Sequence, residues 1–212
     1  CKNETGYRNL SYMVSQAYIE GFYIKPRIDM ELLRAHSDGL IALSACQSGE
    51  VPRRILAGDY EGAKATALEM RELFFGEDFY LELQDHGIAE QTEVNRGLLR
   101  LHNETGIPLV CTNDAHYLRK EDAENHDVLL CIQTGKTVDD ENRMRYEPRN
   151  FYIRSTEEME TLFAGYPDAV ANTEKIAEKC QLEFTFGKYH LPEFKLPEGY
   201  DSPTYLRKLC DE

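Results

Sequence analysis

The sequence lacks any run of about 18 consecutive apolar residues, the minimum for a helix that spans a membrane. Its N-terminus also lacks the basic region followed by an apolar segment that marks a secretory signal. Both absences argue against a membrane-bound or exported protein. We therefore expect a cytoplasmic protein that has no membrane partner.

Closely spaced cysteine pairs are missing as well. The six cysteines are far apart along the chain, and no two of them form a C-x-x-C motif. Several lie within apolar segments, which favours reduced thiols in a cytosolic protein over a disulfide framework.

Basic residues are scarce, with 24 lysines and arginines against 38 acidic residues and a formal net charge of −14. The surface as a whole should repel phosphate backbones, so this chain is not itself the main contact to nucleic acid. The exception is the segment 136–149, which combines Lys136, Arg143, Arg145 and Arg149 with Tyr146. It is either a solvated loop or a contact to phosphates or to an acidic neighbour.

The 212 residues, 42% of them apolar, suffice for one sizeable core, and their pattern alternates strands with helices. Apolar spacing predicts helices over Tyr7–Glu20, Asp59–Phe75, Glu90–Glu104, Glu121–Ile132, Ser155–Ala164 and Pro167–Cys180. Strands are predicted at Gly39–Ser44, Phe79–Gln84, Leu109–Asn113, Phe151–Arg154 and Leu182–Phe186. The βαβαβα order and its spacing indicate a parallel α/β sheet or barrel.

Potential metal ligands follow three successive predicted strands. Cys46 follows the first, Asp85 and His86 follow the second, and Asp114 and His116 follow the third. The carboxyl ends of parallel strands open on one side, where thiolate, imidazole and carboxylate groups from different strands can share a divalent ion. The pattern predicts a metal site that contains Cys46, Asp114 and His116.

The other histidines carry weaker predictions. His86 is a second-choice ligand, because Gln84–Gly87 is equally typical of a tight turn in which Asp85 and Gly87 set the geometry. We interpret His36 and His102 as solvent-exposed, and His126 as a member of a surface pair.

Five segments carry a resemblance to a known family: KNETGYRNL (Lys2–Leu10), GLIALSAC (Gly39–Cys46), FYLELQDHG (Phe79–Gly87), TNDAHY (Thr112–Tyr117) and HDVLLCIQTGK (His126–Lys136). Together they resemble the alpha subunits of bacterial DNA polymerase III, specifically the PHP (polymerase and histidinol phosphatase) domain and its exit toward the polymerase palm. The resemblance implies an α/β fold, a distorted (β/α)7 barrel with parallel strands. It also implies a PHP domain over residues 1–187 and a linker with the start of the next domain over 188–212.

The resemblance also implies a function. The parent would be a DNA-directed DNA polymerase that uses Mg²⁺ and contacts DNA, the other holoenzyme subunits and a proofreading exonuclease subunit. In metal-bearing members the PHP cleft binds divalent ions such as Zn, Mn, Fe or Mg, and some of these members have a metal-dependent 3′–5′ exonuclease activity. Cys46, Asp114 and His116 match ligand positions, with Asp114 and His116 also catalytic, whereas His86 matches none.

The extent of the chain differs from the family pattern. It begins at Cys1 and ends within a helical pattern at Tyr205–Leu209, so we expect a fragment that lacks the first barrel strands and their H-x-H, D-H-G, glutamate and histidine ligands. We expect such a fragment to be inactive alone, and partly open or self-associated.

Three functional hypotheses remain. The first is a metal-dependent phosphoesterase within a polymerase, and the second is a non-catalytic scaffold that stabilises the polymerase or docks an exonuclease. The third is a free-standing PHP phosphatase for a small phosphate ester, against which the continuation of the chain past Tyr189 argues.

Overall fold

The computed structural model describes residues 1–189 and 191–212. The described chain divides into two compact units, Cys1–Leu182 and Glu183–Glu212. The first unit contains the sheet and most of the helices. The second contains one helix, Ser202–Asp211. Asp201 is its N-cap, and the Asp201 side chain accepts a hydrogen bond from the Thr204 amide at 2.9 Å. The sequence-based boundary between residues 187 and 188 remains a prediction.

The first unit alternates helices and strands along the chain. Its helices are α1 (Glu4–Ile19), α2 (Met30–Ala35), α3 (Glu50–Leu56), α4 (Tyr60–Leu73), α5 (Ala89–Thr105), α6 (Ala123–Thr134), α7 (Thr156–Leu162) and α8 (Pro167–Lys179), with a 3₁₀ turn at Lys120–Asp122 before α6. The strands are β1 (Ala42–Leu43), β2 (Phe79–Leu83) and β3 (Leu109–Cys111). The helix Ser202–Asp211 of the second unit is α9.

The three strands form one parallel sheet in the order β1-β2-β3 within the described residues. Ala42 lies opposite Phe79, and Leu81 lies opposite Leu109. Helices α3 and α4 connect β1 to β2, and α5 connects β2 to β3, so the predicted α/β class with parallel βαβ connections is confirmed. The carboxyl ends of all three strands therefore lie at one edge of the sheet.

The core lies where β2 packs against the helices of the two connections. Leu81, Leu83, Leu98, Leu101 and Ile107 are fully buried there. Gly97 of α5 is needed at this contact, because a Cβ atom at this position would lie 2.6 Å from the Ile55 side chain of α3. This packing holds the sheet edge in place.

The second face of β2 meets polar groups, as its alternating sequence predicts. The buried Glu82 carboxylate accepts hydrogen bonds from the hydroxyl of Thr112 and from the Gln84 amide at 3.1 Å. The Glu82 backbone N–H donates to the Ser44 hydroxyl at 2.8 Å. These contacts join the ends of the three strands through side chains as well as through the sheet.

Local signals placed several helix ends correctly. Gly106 ends α5 in the left-handed conformation with φ of 71°, the conformation that glycine adopts most readily. Ser155 and Glu158 form the predicted capping box at the start of α7. Asp59, the first residue of a predicted helix, is the N-cap of α4, where its side chain accepts from the Gly62 amide at 3.0 Å.

Three predicted strands differ from the structure. The strand predicted over Gly39–Ser44 is reduced to Ala42–Leu43, because Gly39 has φ of 74° and its carbonyl accepts from the Lys2 amide. The segment Phe151–Arg154 makes one parallel bridge, between Tyr152 and Tyr117. The prediction of a strand over Leu182–Phe186 was wrong: these residues are described and form no strand, and Phe186 is exposed.

Two short helices, α2 and α3, were not predicted from the sequence. Each has fewer than eight residues and so offers too few turns for a periodic apolar pattern. No helix among the residues that the structure describes is long and apolar enough to cross a membrane.

Candidate functional site

The predicted site residues lie after β1 and β3, at the carboxyl edge of the sheet. Cys46 follows β1 and is half-buried in the turn that leads to α3. Its carbonyl accepts from the Gly49 amide at 2.8 Å, and a side chain at Gly49 would collide with the Ser44 carbonyl, so the turn requires glycine. Asp114 follows β3 and is half-buried, whereas His116 is exposed.

Asp114 and His116 form a tight turn after β3. Asp114 has φ of 40°, a left-handed conformation that aspartate tolerates better than most residues. The His116 ring contacts the Asp114 backbone, with 2.8 Å between Nδ1 and the carbonyl oxygen. Because a carbonyl oxygen only accepts, Nδ1 carries the proton and Nε2 keeps its lone pair. This is the tautomer in which metal-binding histidines are commonly held.

Thiolate, carboxylate and imidazole are suitable donors for a zinc-type ion, but the structure does not gather all three. Among residues 1–189 and 191–212, no group of three or more His, Cys, Asp or Glu side chains is close enough to hold a metal ion. The turn after β3 therefore brings together Asp114 and His116, while Cys46 lies at the end of a different strand. The chemistry of the pair fits a metal, but the described residues do not complete its coordination.

His86 is held in a way that excludes a ligand role. Its ring is fully buried, and its Nε2 lies 2.7 Å from the carbonyl oxygen of Asn113, so Nε2 carries the proton. The other nitrogen, Nδ1, accepts from the Gln91 amide at 2.9 Å. Neither nitrogen has a lone pair left for a metal. The alternative of a tight turn is supported, since the Asp85 carboxylate accepts from the Gly87 amide at 2.9 Å and Gly87 has φ of 82°.

The exposed His116 ring belongs to an aromatic cluster whose other members, Tyr146, Phe151 and His126, were not predicted as site residues. The His116 ring lies 4.5 Å from the Tyr146 ring, 5.4 Å from the Phe151 ring and 5.7 Å from the His126 ring, measured between centroids. No local pattern links these positions. Burial and the neighbouring His116 lower the pKa of His126.

The other histidine predictions need correction. His126 is half-buried beside Tyr146 and Tyr117 and is not a surface pair. His36 and His102 are also half-buried rather than exposed. His36 lies against Tyr12, and His102 donates from Nδ1 to the Ile107 carbonyl at 2.7 Å. His36 and His126 contact rings far away in sequence, and His102 bonds to a carbonyl beyond the end of its own helix, so helix periodicity could not reveal these contacts.

Two arginines of the basic segment 136–149 pair with acidic side chains of the same chain. The Arg143 guanidinium, only 5% exposed, donates two hydrogen bonds to the Asp127 carboxylate, at 2.5 and 2.7 Å. This pairing lowers the pKa of Asp127. Arg149 lies 3.6 Å from a Glu124 oxygen and 3.7 Å from a Glu147 oxygen. Of the two alternatives, the contact to an acidic neighbour applies to these two arginines.

All six cysteines are free thiols, as the sequence predicted. Burial raises the pKa of the Cys111 thiol to about 12. Cys111 lies in β3, three residues before Asp114, and is a buried core residue rather than a ligand candidate.

Comparisons with known proteins show which proteins this chain resembles. Residues 1–86, which include Cys46, match the PHP domain. The chain is 47% identical over its full length to the DNA polymerase III subunit alpha of Borreliella burgdorferi. It is 44% identical, over 98% of its length, to the proteins of the same name from Treponema pallidum and Thermus aquaticus. In each case it spans 18% of the relative. The chain is thus similar along its length to one segment of DNA polymerase III alpha subunits, and its first 86 residues match the PHP domain.

Proposed function

We propose that this chain acts as the PHP part of the alpha subunit of a replicative DNA polymerase. The observation that carries this proposal is similarity along the whole chain to subunits of that name, at 47% identity for one of them. The parent protein would perform DNA-directed DNA synthesis with Mg²⁺, in contact with DNA and with the other subunits of a holoenzyme in the cytoplasm. In the complete barrel, the sheet β1-β2-β3 would form part of the distorted (β/α)7 wall, and residues beyond 187 would lead toward the palm.

We further propose that Cys46, Asp114 and His116 contribute ligands to a divalent-metal site in the whole subunit. Two observations support this: all three follow parallel strands at one edge of the sheet, and the His116 tautomer keeps Nε2 able to bind a metal. Other parts of the subunit would supply the remaining ligands, since the described residues hold no group of three. The isolated segment should accordingly be inactive.

The chemistry of this site would be metal-assisted hydrolysis of phosphodiesters, that is, a 3′–5′ exonuclease. A bound Zn, Mn, Fe or Mg ion would supply an activated water and neutralise charge on the phosphoryl oxygens. The Asp114 carboxylate and the His116 imidazole would bind the ion, and the hydrogen bond from His116 Nδ1 to the Asp114 carbonyl would fix the ring orientation.

A scaffold without catalytic activity is the second candidate. It is favoured by the apolar side chains that α1 exposes, among them Leu10, Val14 and Tyr18. Exposed apolar side chains in this number are typical of a surface that another part of a larger protein, or a proofreading exonuclease, covers.

The decisive experiment is elemental analysis of the whole alpha subunit that contains this segment. The wild type should contain a divalent metal, Asp114→Asn should lose it, and Cys46→Ser should reduce it. Asp38→Asn, a change at an exposed aspartate away from the strand ends, is the matched control and should keep the metal. Metal missing from the wild type as well as the variants would refute the hydrolase proposal and favour the scaffold.

A further inference from the structure

We propose that His86 is the positioning residue for the turn that contains Asp114 and His116. It acts through hydrogen bonding and stacking, and it neither binds metal nor contacts a substrate. The inference deepens the proposed metal site, on which it rests for its functional consequence. Its structural part stands on contacts of the described residues alone.

The first step is the direct contact between His86 and the residue before Asp114. The protonated Nε2 of the fully buried His86 ring donates to the carbonyl of the half-buried Asn113 at 2.7 Å. A buried hydrogen bond that loses its donor leaves the acceptor unsatisfied, so the Asn113 peptide is held in one orientation. The next residue, Asp114, has the left-handed φ of 40°, and this conformation depends on where the preceding peptide points.

The second step is an indirect contact that reaches His116 itself. The Phe151 ring stacks on His86, with centroids 4.3 Å apart and planes 8° from parallel. The Phe151 carbonyl accepts the His116 amide at 2.7 Å and the Tyr117 amide at 3.2 Å. His86 therefore supports both sides of the turn, Asn113 directly and His116 through Phe151.

The third step is that His86 is itself held rigidly at the end of β2. The Gln91 amide group pairs with it twice: Oε1 accepts the His86 backbone N–H at 2.8 Å, and Nε2 donates to the ring Nδ1 at 2.9 Å. Asn150 donates to the His86 carbonyl at 3.2 Å, and Arg154 donates to the Asp85 carbonyl at 2.8 Å. The segment after β3 that contains Asp114 and His116 is thus held in position by His86, which follows β2, and by Gln91 at the start of α5.

The chain provides a matched control. His102 of α5 also donates from one ring nitrogen to a backbone carbonyl at 2.7 Å, but its acceptor is Ile107, which precedes β3. His86 and His102 therefore bind the two ends of the same strand. Replacing either removes one histidine-to-carbonyl hydrogen bond, but only His86 lies beside the turn with Asp114.

The test is hydrogen–deuterium exchange, read by mass spectrometry, on the full alpha subunit containing this segment. The variants are His86→Ala, His86→Gln and His102→Ala. In His86→Ala the peptide that covers residues 113–118 should exchange about tenfold faster, roughly the factor that one lost buried hydrogen bond produces. Glutamine can donate to the Asn113 carbonyl, so His86→Gln should recover part of the protection. His102→Ala should leave this peptide unchanged.

Equal exchange of residues 113–118 in wild type and His86→Ala would overturn the proposal, as would equal acceleration in His102→Ala. Acceleration of the β2 and α6 peptides to the same extent in His86→Ala would also overturn it, because the effect would then be general destabilisation.

Metal content, measured on the same samples, separates this inference from the proposed function. Metal bound by the wild type and reduced in His86→Ala, but retained in His102→Ala, would support both. Wild type without metal, combined with local loosening in His86→Ala, would refute the metal site and keep the positioning role. Retained metal despite local loosening would overturn the functional part of the inference.

Discussion

The buried Asp78 carboxylate pairs with two partly exposed lysines, and the variant Asp78→Asn tests how much this ion cluster stabilises the fold. The Asp78 side chain is 7% exposed and accepts from Lys2, near the N-terminus, and from Lys179 of α8 at 3.0 Å. Its backbone carbonyl accepts from the Ala42 amide of β1 at 2.8 Å. One residue therefore joins the N-terminus, the sheet and α8.

The expected loss follows from these contacts. Hydrogen bonds to a charged group contribute about 1.5–3 kcal/mol each when buried. The two lysine side chains are 28% and 34% exposed, so solvent weakens both interactions, and asparagine retains one acceptor oxygen. We expect Asp78→Asn to lower the free energy of unfolding at pH 7 by about 2 kcal/mol.

The loss should depend on pH in a defined direction. Burial alone would raise the pKa of Asp78, but the hydrogen bonds from Lys2 and Lys179 lower it below its ordinary value. A lowered pKa in the folded chain means that the stabilisation is complete above the unfolded pKa of about 4 and disappears as the pH falls toward the lower, folded value. The difference in stability between wild type and Asp78→Asn should therefore be smaller at pH 3 than at pH 7.

The assay is urea unfolding of both chains at pH 7 and pH 3, with a double-mutant cycle to Lys179→Met. The matched control is Glu4→Gln, which breaks the exposed pair of Glu4 with Arg8 and should cost about 0.3 kcal/mol. A loss at pH 7 no larger than that of the control would refute the reasoning. So would a loss that persists unchanged at pH 3.

Three further predictions concern the core, the aromatic cluster and a helix end. Cys111 should stay unmodified by a thiol reagent at pH 8 in the folded chain, because burial raises its pKa to about 12. The exposed Cys180 and Cys210 should react under the same conditions, and all of the cysteines should react in urea. Phe151→Ala should cost about 3–4 kcal/mol, since the buried ring contacts His86 and His116, and thermal unfolding would show the loss. Ser155→Ala should cost about 1 kcal/mol by removing the α7 cap, and an unchanged midpoint in urea would contradict the capping assignment.

The local signals of the sequence were reliable where the partner group is near in the chain. The caps at Asp59 and Ser155 and the glycine end at Gly106 bind amides or carbonyls within four residues. The parallel sheet could also be predicted from the sequence. Apolar strands that alternate with amphipathic helices can bury both faces of the sheet when the helices pack against it, which is typical of parallel sheets. The Leu182–Phe186 prediction failed because alternation shows which residues could face a core but not whether a neighbouring strand is present.

The same distinction between local and long-range contacts applies to the candidate site. The sequence by itself determined that Cys46, Asp114 and His116 follow strands, since residue order and apolar spacing are local, and the helices between the strands indicated a parallel arrangement. Only the tertiary structure decided that His86 is fully hydrogen-bonded within the chain, that Arg143 pairs with Asp127, and that Phe151 joins His86 to His116. These contacts form between segments far apart in the chain, and helix and strand periodicity specify which face a side chain occupies but not what lies opposite it.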